Sequence, residues 1–282
     1  MKIILFTTIS LTAFAANSIL CRFALGGKLI DAASFTSIRI CSGALFLGII
    51  YLLTKQNKNH ISYKNKWMMP VMLSIYALFF SYAYLSLSTG TGALILFGAV
   101  QTTMIISGWI SGERMNFIQF TGLFLAVTGL VYLVFPGISS PSPLGAFLMG
   151  VAGIAWGVYS LLGGQAGNPV ITSAFNFIYS IPMVLTAAFL ISSPVLITSK
   201  GVLAAAISGT LASGAGYVIW YTALKGLTST RAAIVQLTVP VIAAIGGIIL
   251  LSEAFSARLF IASIIILSGV GLALSKKKAQ RM

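Results

Sequence analysis

Long apolar runs separated by short polar breaks make up almost the whole chain. The runs predict ten helices, near residues 3–25, 33–54, 67–88, 91–111, 117–135, 144–164, 171–193, 201–224, 230–251 and 257–275. A helix that crosses the hydrocarbon core of a bilayer needs about 20 apolar residues, and most of the runs reach that length. The pattern therefore predicts an all-α membrane protein with about ten transmembrane helices.

The composition agrees with a chain surrounded by lipid. Only 7% of the 282 residues are charged, 58% are hydrophobic, and the mean hydropathy is +1.02, whereas soluble domains carry roughly 25% charged residues. The net charge of +14 would suggest nucleic acid in a soluble protein. Here the Lys and Arg residues lie in the breaks between apolar runs, so a lipid bilayer is the expected partner and nucleic acid is not.

The distribution of Lys and Arg predicts the orientation. Positively charged residues concentrate on the cytoplasmic side of membrane proteins. With ten helices and both termini in the cytoplasm, twelve of the 17 Lys and Arg residues lie inside, whereas only Lys28, Lys200 and Arg258 lie outside. Arg22 and Arg39 remain within helices. We therefore expect cytoplasmic termini.

An internal repeat divides the chain into two halves, 1–137 and 143–282. Shifting the sequence by 140 residues superimposes Glu113 on Glu253 and Phe35 on Phe175. The glutamate match is informative because the chain has only three acidic residues. Each half holds five predicted helices, an odd number, so the second half begins on the opposite side of the membrane. Two inverted five-helix repeats are therefore expected, an arrangement common in transporters.

Six short motifs stand in order along the chain, three in each half. They are Ala16-Asn17-Ser18, Phe35-Thr36-Ser37-Ile38-Arg39, Gly112-Glu113-Arg114, Ala155-Trp156-Gly157, Trp220-Tyr221-Thr222-Ala223-Leu224, and Pro240 followed by Ser252-Glu253. This ordered set resembles the drug/metabolite transporter superfamily in its EamA branch of ten-helix carriers. The chain departs from the usual pattern at Ala16, where many relatives carry Trp, and at Val100, where the second half has Pro240.

The resemblance implies a function. It implies export or exchange of small organic metabolites, amino acids first, by alternating access in a bacterial inner membrane. Exporters of aromatic or neutral amino acids of the YddG kind are one relative among several that the pattern allows. A membrane scaffold or lipid-handling protein without solute transport is the alternative, and the oligomeric state is not indicated.

Polar and aromatic residues inside the apolar runs are the candidates for a solute site, because such groups are costly against lipid. The predicted substrate-binding residues are Asn17, Tyr82, Gln101, Trp156, Tyr159, Tyr217, Trp220 and Gln236, with Ser18, Tyr76, Thr102 and Tyr221 as further candidates. Asn17 and Trp156 are expected to face one central cavity. The alternative is that the rings pack between helices or lie at the membrane interface, and that each glutamine forms a helix–helix hydrogen bond.

More specific predictions can be made for three further residues. Arg22, near the end of the first helix, is expected to extend its charge to the membrane surface. Arg39 lies about two turns inside the second helix. It is expected to extend its charge to the membrane surface, to anchor the helix, or to hold a carboxylate. Pro240 removes a hydrogen bond to the carbonyl of Gln236 and is expected to kink the ninth helix.

Several kinds of chemistry have no counterpart in the sequence. No Asp, Glu or His lies at mid-helix, and no nucleophile–base pair, cluster of metal ligands or cofactor-binding motif is visible. We therefore predict no enzyme activity, metal or cofactor. The expected driving force is the gradient of a small-molecule substrate, or exchange, because proton-coupled carriers commonly use an intramembrane carboxylate or His.

Overall fold

The architecture is all-helical in a computed structural model that describes residues 2–54, 67–111, 117–135, 141–191, 194–227 and 229–273. The helices are α1 Lys2–Gly26, α2 Ala32–Leu53, α3 Met68–Ala83, α4 Thr89–Ile110, α5 Phe117–Val134, α6 Pro143–Gly164, α7 Pro169–Ile191, α8 Ser199–Leu224, α9 in two parts, Ser229–Gln236 and Thr238–Leu251, and α10 Ala257–Ala273. Among the described residues, six helices are long and apolar enough to span a membrane, and the others are shorter apolar helices. The prediction of an all-α membrane protein of about ten helices is confirmed.

Some expected positions lie outside the described residues. They include the Gly112-Glu113-Arg114 turn, residues 136–140 between the two predicted halves, and most of the Lys and Arg residues that are expected in the cytoplasm.

Three helices differ from their predicted form. α3 ends at Ala83, five residues early, and the chain turns before α4 begins at Thr89. α9 is interrupted at Leu237, which agrees with the expected kink because Pro240 cannot bond the Gln236 carbonyl. The middle of α8, Ser208–Ala215, is π-helical, which the apolar pattern did not predict.

The helices pack mostly across the two halves of the chain. α1 packs against α8 and α9, and α6 packs against α3 and α4. α2 packs against α7, α4 against α9, and α5 against α10. Exchanging every helix of the first half for its counterpart in the second leaves these pairings unchanged.

A glycine on α6 sets the closeness of α6 to α4. A Cβ built on Gly153 would lie 2.5 Å from the carbonyl oxygen of Leu96 and 2.6 Å from the Cβ of Ala99. Small residues allow this approach between helices in membranes. A larger residue at position 153 would push α6 away from α4.

An ion pair joins α1 to the connection between α9 and α10. The Nε of Arg22 donates to a carboxylate oxygen of Glu253 at 3.1 Å, and its Nη1 donates to the Tyr84 carbonyl. The backbone N–H of Thr89, at the start of α4, donates to the same carboxylate at 2.9 Å. Arg22 therefore reaches toward this end of the bundle, where Glu253 provides its counter-charge.

Asp31 forms a second link at the same end of the bundle, between the α1–α2 and α7–α8 connections. Its carboxylate accepts hydrogen bonds from the backbone N–H groups of Ser34 and Leu196. Partial burial raises the pKa of Asp31, but these hydrogen bonds outweigh burial and hold the pKa below its usual value. The carboxylate is therefore ionised at neutral pH and caps α2.

Candidate functional site

Trp156 is the centre of a cluster of aromatic rings from four helices. Its ring centroid lies 4.7 Å from that of Tyr217, 5.0 Å from Tyr76, 5.2 Å from Phe14 and 5.6 Å from Tyr159. The Trp156 side chain is 1% exposed. It stands eight residues before the end of α6 at Gly164, about 12 Å along the helix axis, so the cluster lies near the middle of the bundle.

Amide and hydroxyl groups form hydrogen bonds around these rings. Asn17 donates to the Tyr76 hydroxyl at 3.2 Å and accepts from the Ser208 hydroxyl at 2.6 Å. The indole N–H of Trp156 donates to the side-chain oxygen of Gln236 at 3.2 Å. Buried polar groups are costly unless they are hydrogen-bonded, so these bonds fix the orientation of the rings.

Arg39 adds a positive charge to the cluster. It is 1% exposed, its Nε donates to the Ser213 hydroxyl at 3.1 Å, and its Nη2 donates to the hydroxyls of Tyr217 at 2.9 Å and Tyr76 at 3.3 Å. The guanidinium carbon lies 5.2 Å from the ring centroids of both Tyr76 and Phe80. Arg39 therefore points into the bundle and does not extend to the membrane surface.

The π-helical part of α8 presents two serines to this site. Ser208 bonds Asn17, and Ser213 bonds Arg39. Residues five apart are joined by the hydrogen bonds of a π-helix, so the two serines lie on nearly one face, whereas an α-helix would separate them by about 140°. A Cβ on Gly209 would overlap the carbonyl oxygen of Arg39, so this glycine lets α8 approach α2.

The structure brings six of the eight predicted site residues together. They are Asn17, Trp156, Tyr159, Tyr217, Trp220 and Gln236. The ring centroids of Trp220 and Phe14 lie 5.7 Å apart. Both Trp220 and Tyr221 are fully buried, so neither belongs to an interfacial belt.

The remaining candidates lie elsewhere. Gln101 donates to the backbone carbonyl of Ala233, a bond between α4 and α9, as the helix–helix alternative predicts. Tyr82 is partly buried, and no hydrogen bond or ring contact among the described residues joins it to the cluster. Thr102 lines a separate groove of about 620 Å³ between α4, α5 and α6, together with Val127 and Ile154.

Sequence reasoning missed some members of the cluster. Phe14 stands three residues before Asn17 and shares its helix face, a signal that could have found it. Ser208 and Ser213 offered no such signal, because their spacing forms a common face only in a π-helix. Asn176 of α7 donates to the Tyr159 hydroxyl at 3.4 Å. It is an amide inside an apolar run, the same signal that selected Asn17, and that signal could have found it.

Comparison with known proteins places this arrangement in a family. An uncharacterized protein of Pseudomonas aeruginosa is 42% identical over 276 residues, which are 98% of this chain and 96% of the relative. An uncharacterized transporter of Archaeoglobus fulgidus is 31% identical over 218 residues, 73% of this chain and 74% of the relative. The pattern of the EamA-like transporter family matches residues 143–275. The chain belongs to the EamA-like transporter family.

Two more distant likenesses agree with that membership. A probable amino-acid metabolite efflux pump of Escherichia coli is 23% identical over 217 residues, which are 72% of this chain and 73% of the relative. A solved crystal structure superposes with a TM-score of 0.70 over 95% of each chain at 17% identity, a likeness that shows the fold alone. As an EamA-like transporter, the chain is an integral membrane protein of a transport family.

Proposed function

We propose that this transporter moves small organic metabolites, with amino acids as the first class, by alternating access around the Trp156 cluster. The observation that carries the proposal is a buried set of aromatic rings, amides and hydroxyls near mid-bundle. Rings suit an apolar body, and hydrogen-bonding groups suit a polar head. The relative described as a probable amino-acid metabolite efflux pump supports the substrate class.

We infer further that residues 1–137 and 143–282 are inverted repeats. The helix pairings are unchanged when the halves are exchanged, and the family pattern matches the second half, 143–275. In carriers of this kind the substrate site lies near the bilayer midplane between the repeats. The Trp156 cluster supports this proposal, since Phe14 and Tyr76 come from the first half and Trp156 and Tyr217 from the second.

The described conformation is closed around the cluster. The rings contact one another, so a solute can enter only if the halves move apart. At the α1–α2 end, Arg22 of the first half bonds Glu253 of the second, and Asp31 of the first half bonds Leu196 of the second. We propose that these bonds break when the site opens toward that end.

The remaining parts of the proposal concern setting and coupling. We propose a bacterial inner membrane, cytoplasmic termini and no catalytic activity. We also propose that flux follows the substrate gradient or exchange. The two acidic residues that the structure describes, Asp31 and Glu253, both lie at the α1–α2 end and not in the cluster.

Counterflow in proteoliposomes tests this function. Vesicles that contain the purified protein are loaded with unlabelled amino acids and diluted into a radiolabelled neutral or aromatic amino acid, with empty vesicles as the control. We expect saturable uptake that internal substrate stimulates and that an imposed pH gradient does not accelerate. Lipid movement without saturable flux of any amino acid or metabolite would favour a lipid-handling protein instead.

A further inference from the structure

The guanidinium of Arg39 has unused hydrogen-bonding capacity. An arginine side chain carries five N–H donors, two of them on Nη1. Ser213, Tyr217 and Tyr76 take three donors from Nε and Nη2. Nη1 is buried and has no hydrogen-bond partner among the described residues.

The charge of Arg39 also lacks a counter-ion among the described residues. Glu253 pairs with Arg22 at 3.1 Å, and Asp31 caps α2. Two tyrosine hydroxyls and two ring faces solvate the guanidinium, but they are neutral. Burying an unpaired charge is strongly unfavourable, so an anion that enters when the halves move apart would offset this cost.

We propose that Nη1 of Arg39 binds the carboxylate of the transported solute, so that a carboxyl group is a required feature of the substrate. This inference rests on the proposed transport function. It gives Arg39 a binding role in addition to the anchoring that its bonds to Ser213 and Tyr217 provide.

A carboxylate fits this position better than a phosphate group. One carboxylate neutralises one guanidinium, whereas a phosphate monoester carries about −1.5 to −2 charges at neutral pH and would leave buried negative charge. Arginine also binds carboxylates through short, charge-assisted hydrogen bonds.

The rest of such a solute would lie beside the Trp156 cluster. The guanidinium carbon is 5.2 Å from the Tyr76 ring centroid, which is 5.0 Å from that of Trp156. A carboxylate held on Arg39 therefore leaves an apolar body close to aromatic surfaces. An aromatic or aliphatic carboxylic acid, including a neutral amino acid, meets both requirements.

Matched acids and amides test the proposal on the purified, full-length protein. The probes are L-phenylalanine, L-leucine and 3-phenylpropionate, each paired with its primary amide, and binding is measured by ligand-induced thermal stabilisation, which follows mass action. We expect at least one acid to bind the parent at least about tenfold more tightly than its amide, as a charge-assisted hydrogen bond predicts. Arg39→Gln should abolish this preference, and Arg39→Lys should keep part of it. The control is Arg258→Gln, since Arg258 bonds the Phe135 carbonyl away from the cluster.

The outcomes separate binding from anchoring. Arg39→Gln that lowers the melting temperature but keeps the preference for acids would show an anchoring role only and overturn the proposal. If Arg39→Gln does not fold, the acid–amide comparison on the parent decides. Equal binding of acids and amides, or binding of no acid, overturns the proposal that Arg39 binds a substrate carboxylate. In that case, transport of a neutral or cationic solute would still support the proposed transport function. Failure of every solute to cross the membrane would instead reject the transport function.

Discussion

Trp156 is the residue on which most of the cluster depends. It contacts rings from α1, α3 and α8 and bonds Gln236. Its indole therefore links both halves of the chain at one point. The Trp156 ring offers a flat surface that the smaller side chains around it cannot replace.

Replacing Trp156 by Ala should lower counterflow at least about tenfold at equal amounts of folded protein. The substitution removes the stacking surface, and truncating a buried Trp also costs about 3 to 5 kcal/mol of stability. Trp156→Phe should keep more activity, because a ring remains, although the bond to Gln236 is lost. Flux is measured in proteoliposomes after removal of aggregated protein by size-exclusion chromatography.

Trp109→Ala is the matched control for this series, since Trp109 is 64% exposed on α4. Flux through the Trp109→Ala variant should equal flux through the parent protein. Parent-like flux through Trp156→Ala would place the solute path away from the cluster.

Arg22 and Glu253 should behave as one coupled pair. Glu253→Gln keeps the volume of the side chain but leaves the partly buried charge of Arg22 unpaired. We expect a loss of about 1 to 3 kcal/mol, between the values typical of exposed and of buried pairs. The measurement is the free energy of unfolding for both single variants and for the Arg22→Gln/Glu253→Gln double variant. The double variant should be no less stable than either single one, and strictly additive losses would argue against the pair.

The π-helical part of α8 determines the geometry of the site. It aligns Ser208 with Asn17 and Ser213 with Arg39, and it then continues into the helical turns that carry Tyr217 and Trp220. π-Helical segments are rare and occur frequently at functional sites. Here the wider turn lets one helix supply both hydroxyls and rings to the same cluster.

Two glycines on α6 give a matched test of helix packing. Gly153→Ala places a methyl group 2.5 Å from the Leu96 carbonyl, and overpacking of this kind costs about 1 to 3 kcal/mol. Gly150→Ala meets nothing within 4 Å and should be neutral or stabilising by up to about 1 kcal/mol, because Ala favours helix more than Gly. Thermal unfolding of the two variants in the same detergent checks the difference. Equal melting temperatures would show that α6 and α4 are not so close.

The sequence predicted the helices well because lipid constrains them strongly. Each spanning segment must be long and apolar, so the runs themselves mark α1, α2, α4 and α6. The contacts between helices were harder to predict. Arg22 and Glu253 are 231 residues apart, and Tyr82 and Tyr76 look alike in sequence although only Tyr76 reaches the cluster. The side of the helix that faces the centre depends on packing, which composition does not determine.

The orientation of the whole molecule gives a prediction of its own. Lys200 and Lys225 stand at opposite ends of α8, and both are exposed. With cytoplasmic termini, a cysteine at position 200 should react with a membrane-impermeant maleimide in intact cells. A cysteine at position 225 should react only after permeabilisation. The reverse pattern would invert the orientation.

Alternating access requires that the centre of the molecule be reachable from each side in turn. Ser213 is suited to report this, because it is buried and bonds Arg39. The two native cysteines are replaced first. Cys21, which is buried, becomes Ala, and Cys41, which is exposed, becomes Ser. Ser213→Cys then gives a single thiol of nearly the same size at the site.

The most direct measurement is the rate at which an impermeant thiol reagent modifies this cysteine in right-side-out and in inside-out vesicles. We predict modification from both sides, with a transported solute slowing both reactions by occupying the site. A conformational bias that speeds the reaction on one side should slow it on the other. A thiol that reacts from neither side would indicate a static scaffold. A thiol that reacts from both sides, at rates that no solute changes, would contradict a carrier with one central site.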